Sequence, residues 1–240
     1  MSLHSWNMLM SVIFDMDGVI VDSHAAHIRT WKAFFLSLEK SVTDADLDFV
    51  RQGRKRQEIL RHFLGNLKDD EIQALCRKKD ALFANEAQSV AMIPGVRDLL
   101  EELKRAAIPT AVASCGSTAR VHQLLSRLRL RSYFTAVVTG DEVLTGKPDP
   151  EIFYKAARQI KAHPAESIVF EDSVSGVQGA KAAGMKCVGI ADRQHTPVLL
   201  QAGADHVLPD FAGMSWIKIQ KLFAVSSNRR NEPFSNPAVV

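Results

Sequence analysis

The stretch Val12-Ile13-Phe14-Asp15-Met16-Asp17-Gly18-Val19-Ile20-Val21-Asp22-Ser23 decides how this chain is read. A short apolar run delivers Asp15 and Asp17, two residues apart, onto a glycine turn at Gly18. Side chains at i and i+2 of a strand share a face, so the spacing predicts both carboxylates pointing the same way at the strand's carboxyl end. That end is where open α/β sheets bind their ligands. Carboxylates so close repel each other unless a cation or a shared proton relieves them. A hard cation such as Mg²⁺ takes oxygen ligands and works with one or two carboxylates plus substrate phosphate. Taken alone, such a pair is equally well a strand end with solvated acids, so the rest of the chain has to decide.

Outward from this stretch, short apolar strands alternate with helical periods. Strands are expected at Met10–Phe14, Thr110–Ser114, Ala136–Thr139, Ser167–Glu171, Lys186–Ile190 and, more weakly, His206–Leu208. Amphipathic helices are expected at Val96–Ala106, Ala119–Leu128, Pro150–Ile160 and Val174–Ala183. This alternation predicts an α/β fold: a parallel sheet with right-handed crossovers and helices on both faces. From His24 to Ala91 the rhythm breaks, and only helical periods remain, at Ala26–Leu38, Asp44–Arg51, Gln57–Leu64 and Asp69–Asn85. The expected organisation is a core of residues 1–21 plus 92–225, an inserted α-helical domain of residues 22–91, and a polar, proline-bearing tail of residues 226–240 that is disordered.

Three further segments put chemistry at strand ends. Ala111-Val112-Ala113-Ser114-Cys115-Gly116-Ser117 ends a strand in small hydrogen-bonding residues before a helix, a seat for phosphate as well as an ordinary helix cap. Thr145-Gly146-Lys147-Pro148-Asp149-Pro150 pins a lysine between glycine and proline, where its ammonium suits a phosphoryl oxygen. Glu171-Asp172-Ser173 again sets acids at a strand end, as metal ligands or as partners of a helix dipole.

Together, and in this order, the segments resemble the haloacid dehalogenase superfamily, and D-x-D-G-V-I-x-D-S resembles its β-phosphoglucomutase-like members. The likeness spans roughly Val12 to Pro209. It implies a HAD-like Rossmannoid core with a helical cap closing over the substrate. It also implies that Asp15 is a nucleophile forming an aspartyl phosphate, that Asp17 is the general acid/base, and that Ser114 and Lys147 contact the phosphoryl group beside Cys115 and Gly116. Mg²⁺ would be held by Asp15, the Asp17 carbonyl and Asp172, with Glu171 ligating directly or through water. By the same likeness, His27, Arg56 and Lys79 are cap residues for sugar phosphate binding and closure, although Arg56 lies in a basic run that reads as a solvated helix face. An acid at position 17 sets this chain apart from the family's dehalogenases and phosphonatases.

Water as acceptor makes such an enzyme a phosphatase; a sugar hydroxyl makes it a mutase. Gly116 stands where the mutase has a serine, and Ile59 replaces a cap serine, so the balance favours a Mg²⁺-dependent phosphatase of sugar phosphates or similar small monoesters. The alternative is a β-phosphoglucomutase-type isomerase. A non-catalytic binder of phosphorylated ligands would need an intact motif set to stand idle.

Composition narrows the partners. A net charge of +3 over 240 residues argues for neither nucleic acid nor membrane. Cys76, Cys115 and Cys187, widely spaced, suggest reduced thiols rather than disulfides or a zinc site. The start, Met1 to Asn7, lacks the charged and apolar regions of a secretory leader. The resulting expectation is a cytoplasmic monomer or weak dimer acting on a small phosphorylated substrate.

Overall fold

The computed structural model describes residues 10–228. The start of the expected core, residues 1–9, lies outside them, as does the expected disordered tail from residue 229 onward; Ser226–Asn228 belong to the last helix. In chain order the elements are β1 (Ser11–Phe14), β2 (Val21–Asp22), α1 (His24–Leu36), α2 (Arg56–Leu64), α3 (Asp69–Glu86), β3 (Ala91–Met92), α4 (Val96–Arg105), β4 (Thr110–Ser114) and α5 (Thr118–Arg127). They continue with β5 (Ala136–Thr139), α6 (Glu151–Gln159), β6 (Ser167–Glu171), α7 (Val174–Ala182), β7 (Lys186–Ile190), α8 (Thr196–Gln201), β8 (His206–Leu208) and α9 (Trp216–Asn228).

Six strands form one parallel sheet in the order β5-β4-β1-β6-β7-β8, with Ile13 opposite both Ala111 and Val169. Every residue of β1, β4 and β6 is buried, which explains why these strands read as continuous apolar runs rather than alternating ones. The period of two then sorts them onto two layers. Val12, Phe14, Val112, Ile168 and Phe170 pack with helices α4, α5 and α9 on one face. Ile13, Ala111, Ala113 and Val169 pack with α6, α7 and α8 on the other. From β1 the chain first builds β4 and β5 on one side and then returns to build β6, β7 and β8 on the other. The reversal beside β1 is a topological switch point, and the carboxyl ends of β4, β1 and β6 open onto it.

Between β2 and β3 the described chain is helical, with its own apolar cluster around Trp31, Phe34, Phe35, Leu60 and Ile72. The helix expected from Asp44 to Arg51 is a single 3₁₀ stretch over Asp46–Arg51. The segment enters and leaves through the antiparallel pair β2–β3, where Val21 faces Met92. Two-residue strands carry no periodicity, so the sequence could not announce them. Helices α8 and α9 also went unannounced: α8 has only six residues, and α9 is recognised by docking Trp216 and Ile219 against the first face.

The start of α2 lies against the loop that leads to Lys147. Lys55 Nζ donates to the carbonyls of Val143 (2.6 Å) and Leu144 (3.2 Å), and the Gly146 amide donates to Glu58 Oε1 (3.1 Å). Among the described residues no helix is long and apolar enough to cross a membrane.

Candidate active site

Backbone position assembles the centre of the site. Asp15 follows the last residue of β1, and its amide still donates to Phe170 of β6 (2.9 Å). Ser114 and Glu171 are the last residues of β4 and β6, and Asp172 follows directly. The turn at Gly18 has φ +79°, and a Cβ there would fall 2.2 Å from Asp172 Oδ2 and 2.5 Å from His24 Nε2. The backbone angle favours glycine, and a larger residue would also displace these side-chain ends.

Lys147 is wholly buried behind this edge. Its Nζ contacts Asp15 Oδ1 and donates to Glu171 Oε1 (2.7 Å) and to the Ala113 carbonyl (3.0 Å). Burial works against its charge, but Asp15 and Glu171 outweigh it and hold Lys147 protonated. The other Glu171 oxygen accepts from the amides of Asp172 (2.7 Å) and Ser173 (2.9 Å). Ligand oxygens of Asp15, Glu171 and Asp172 lie within 4.8 Å of one another. Burial pushes Asp15 well above the usual carboxylate range against the opposing Lys147, and it pushes Asp172 up to about 6. Asp15 and Asp172, so crowded and desolvated, are poorly stable as anions by themselves. A divalent cation relieves them, and an all-oxygen donor set fits one.

The Asp17 carboxylate does something else. The expectation that it shares a face with Asp15 holds only in part: β1 stops at Phe14, both acids line one pocket, and their carboxylates take different partners. Asp17 is gripped by both arms of Arg120 (2.8 and 2.6 Å), and its Oδ1 also accepts from Ser23 (2.6 Å) and meets His27 Nε2 at 3.2 Å. Burial would raise its pKa, but Arg120 and His27 prevail and hold it well below the usual range. Thus a guanidinium, not a shared cation, neutralises this side chain.

The three residues expected from the helical segment all line the same pocket. His27 on α1 stacks on Phe83 (4.5 Å between centroids), and its Nδ1 is 3.1 Å from Lys79 Nζ on α3. An ammonium can only donate, so Nδ1 accepts and the ring is neutral with its proton on Nε2, facing Asp17. Burial, then the Lys79 charge, hold His27 down to about 3. Burial, with Arg120 adding to it, pulls Lys79 down to about 7. Arg56, at the first position of α2, pairs with Asp80 of α3 and with Asp141 beyond β5 (2.7 Å). It is therefore no solvated helix face; its side chain is 11% exposed.

Cys115 and Gly116 line the pocket beside Ser114, whose Oγ accepts the Gly116 amide at 3.2 Å. Burial pushes the Cys115 thiol up to about 11, so it stays protonated. Among the pocket residues that escaped the sequence reading are Arg120, and His24, which meets Asp172 Oδ2 at 2.8 Å. One signal was available. Both are basic residues in the first turn of a helix, where the dipole disfavours a cation unless an anion holds it.

With the geometry in place, the comparisons with known proteins agree. A family model described as haloacid dehalogenase-like hydrolase matches residues 12–190. A phosphorylated carbohydrates phosphatase of Thermotoga maritima is 33% identical over 81% of this chain and 91% of its own. The β-phosphoglucomutase of Bacillus subtilis is 32% identical over 83% of this chain and 89% of its own. The crystal structure of CbbY from Rhodobacter sphaeroides in complex with phosphate superposes with a TM-score of 0.77 at 27% identity, covering 88% of this chain and 99% of that one. A model matching most of the chain, relatives above 30% identity along nearly their full length and the strand-end acids together lead to one conclusion: the chain belongs to the haloacid dehalogenase-like hydrolases.

Proposed function

We propose that this protein is a Mg²⁺-dependent phosphatase of small phosphate monoesters, sugar phosphates foremost, working through an aspartyl phosphate on Asp15. One observation carries the reading: Asp15 stands at the switch point in contact with a buried Lys147, with Ser114 at the end of the neighbouring strand and Asp172 close by. That is a carboxylate nucleophile with its phosphoryl cradle. Names of relatives that act on phosphorylated carbohydrates support the substrate class.

In this reading the substrate phosphorus approaches Asp15. Lys147 and the Ser114 hydroxyl, with the amides that follow it, meet the phosphoryl oxygens and oppose the charge that develops on them. Asp15, Asp172 and the Asp17 backbone carbonyl, with Glu171 behind them, would hold Mg²⁺, which when bound supplies charge stabilisation and alignment of the phosphoryl group. Asp17 delivers a proton to the leaving oxygen and then takes one from the water that opens the aspartyl phosphate. Residues 22–91 act as a cap over a core of residues 1–21 and 92–225, with β2 and β3 as its entry and exit. Binding of the distal part of the substrate by His27, Arg56 and Lys79 would drive closure and exclude bulk water.

The mutase alternative rests on the 32% identity to a β-phosphoglucomutase and on those same three cap residues. The test is a screen of purified protein over phosphate monoesters with Mg²⁺, including β-glucose 1-phosphate with a trace of the bisphosphate, reading phosphate release and isomer interconversion separately. Phosphate release from sugar phosphates is expected. Interconversion of glucose 1- and 6-phosphates with little release would hand the case to the mutase.

A further inference from the structure

We propose that Arg120 is a specificity-determining residue: it reads an acidic group on the leaving portion of the substrate, a carboxylate or second phosphate, and by taking that anion it frees Asp17. This rests on the phosphate-ester reading above and names the substrate class more narrowly.

Arg120 Nη1 and Nη2 lie 2.8 and 2.6 Å from the two oxygens of Asp17, and Ser23 and His27 meet the first oxygen as well. Oδ1 then has three partners and Oδ2 faces the guanidinium, so a leaving group reaches Asp17 unobstructed only when this fork opens. A guanidinium that is 6% exposed does not give up its carboxylate to bulk water readily, because the separated charges would stay desolvated. It gives it up to another planar or tetrahedral anion that offers the same two-pronged contact. A neutral sugar hydroxyl makes that exchange less well, with a single uncharged contact.

Space has been set aside for this side chain. A Cβ at position 116 would fall 2.1 Å from Arg120 Nη2 and 2.8 Å from Cζ, so a larger residue there would push the end of the Arg120 side chain aside. Gly116 is thus more than a missing serine: it lets a guanidinium into the loop that follows Ser114. The guanidinium is also backed by the Phe83 ring, at 5.2 Å. Lys79 lies over the same ring at 5.0 Å, and among the described residues it has no carboxylate within salt-bridge distance. A second basic group therefore lies over the ring that backs Arg120, with no carboxylate in direct contact.

Two phosphonates that resist hydrolysis test the inference by calorimetry with Mg²⁺ present: propylphosphonate, and 3-phosphonopropionate, which adds a carboxylate. Wild-type protein should bind the carboxylated compound about tenfold or more tightly than the plain one. Arg120→Met should shrink that preference to about twofold or less. Arg120→Lys, which keeps the charge but not the fork, should fall between and serves if the methionine variant does not fold. Asp17→Asn removes the competing carboxylate, so the preference should exceed that of wild type. The inference is overturned by equal affinities in wild type, by a preference that survives Arg120→Met and Arg120→Lys, or by an unchanged preference in Asp17→Asn. Wild-type protein that hydrolyses p-nitrophenyl phosphate yet binds both phosphonates equally rejects this inference alone. Protein that binds neither and hydrolyses nothing rejects the phosphatase reading together with it.

Discussion

The sheet edge and the helical segment both send residues into one pocket, but they hold them by different means. On the sheet, Asp15, Ser114, Glu171 and Asp172 stand where β1, β4 and β6 end, and the parallel ladder fixes their backbones. On the segment, His27, Arg56 and Lys79 come from three separate helices, and each is positioned by other side chains: Asp17 and Phe83, Asp80 and Asp141, His27 and two aromatic rings. A ladder cannot be exchanged for a substrate, whereas an ion pair can. In the proposed mechanism, chemistry that must not vary is thus carried by backbone position, and recognition that varies with the substrate by replaceable pairs.

Changes on the sheet side should cost the most. Asp15→Asn keeps the shape and removes the proposed nucleophile, so turnover of p-nitrophenyl phosphate with Mg²⁺ should fall about 10⁴-fold or more. Near-normal phosphate release from that variant would break the covalent mechanism. Asp172→Ala should lower Mg²⁺-dependent turnover by about 10³-fold while far-UV circular dichroism stays native. Full activity in a chelator would remove the metal from the account.

On the segment side the effects should be smaller and should depend on the substrate. Arg56→Ala is expected to lower kcat/KM for a sugar phosphate that is turned over by about tenfold or more, and for p-nitrophenyl phosphate much less. Equal losses on both would mean that Arg56 only joins α2, α3 and the loop beyond β5. Lys79 gives a pH signature. Its folded-state pKa, about 7, lies below the usual lysine value of 10.5. Between those values the unfolded chain binds the extra proton, so stability should rise as pH climbs from about 7 toward 10. Lys79→Met should flatten that rise, by a few kcal/mol at most. Thermal melts of both proteins across this range check it, and identical slopes would refute the depressed pKa.

The sequence by itself determined the parallel sheet. Continuous apolar runs flanked by helical periods have few other ways to bury themselves, so β4 through β8 fall where composition places them. It also determined the acids and serine at the strand ends, because a residue next to a strand end is placed by the strand. Short motifs suffice when the backbone does the positioning. Only the tertiary structure decided the partners. Nothing within twelve residues of Asp17 announces Arg120, which arrives from a helix 103 positions away, and nothing in the basic run around Arg56 shows which of its members turns inward to Asp80 and Asp141. Ion pairs between distant side chains depend on how helices pack against the sheet, a long-range outcome that neither local periodicity nor spacing encodes.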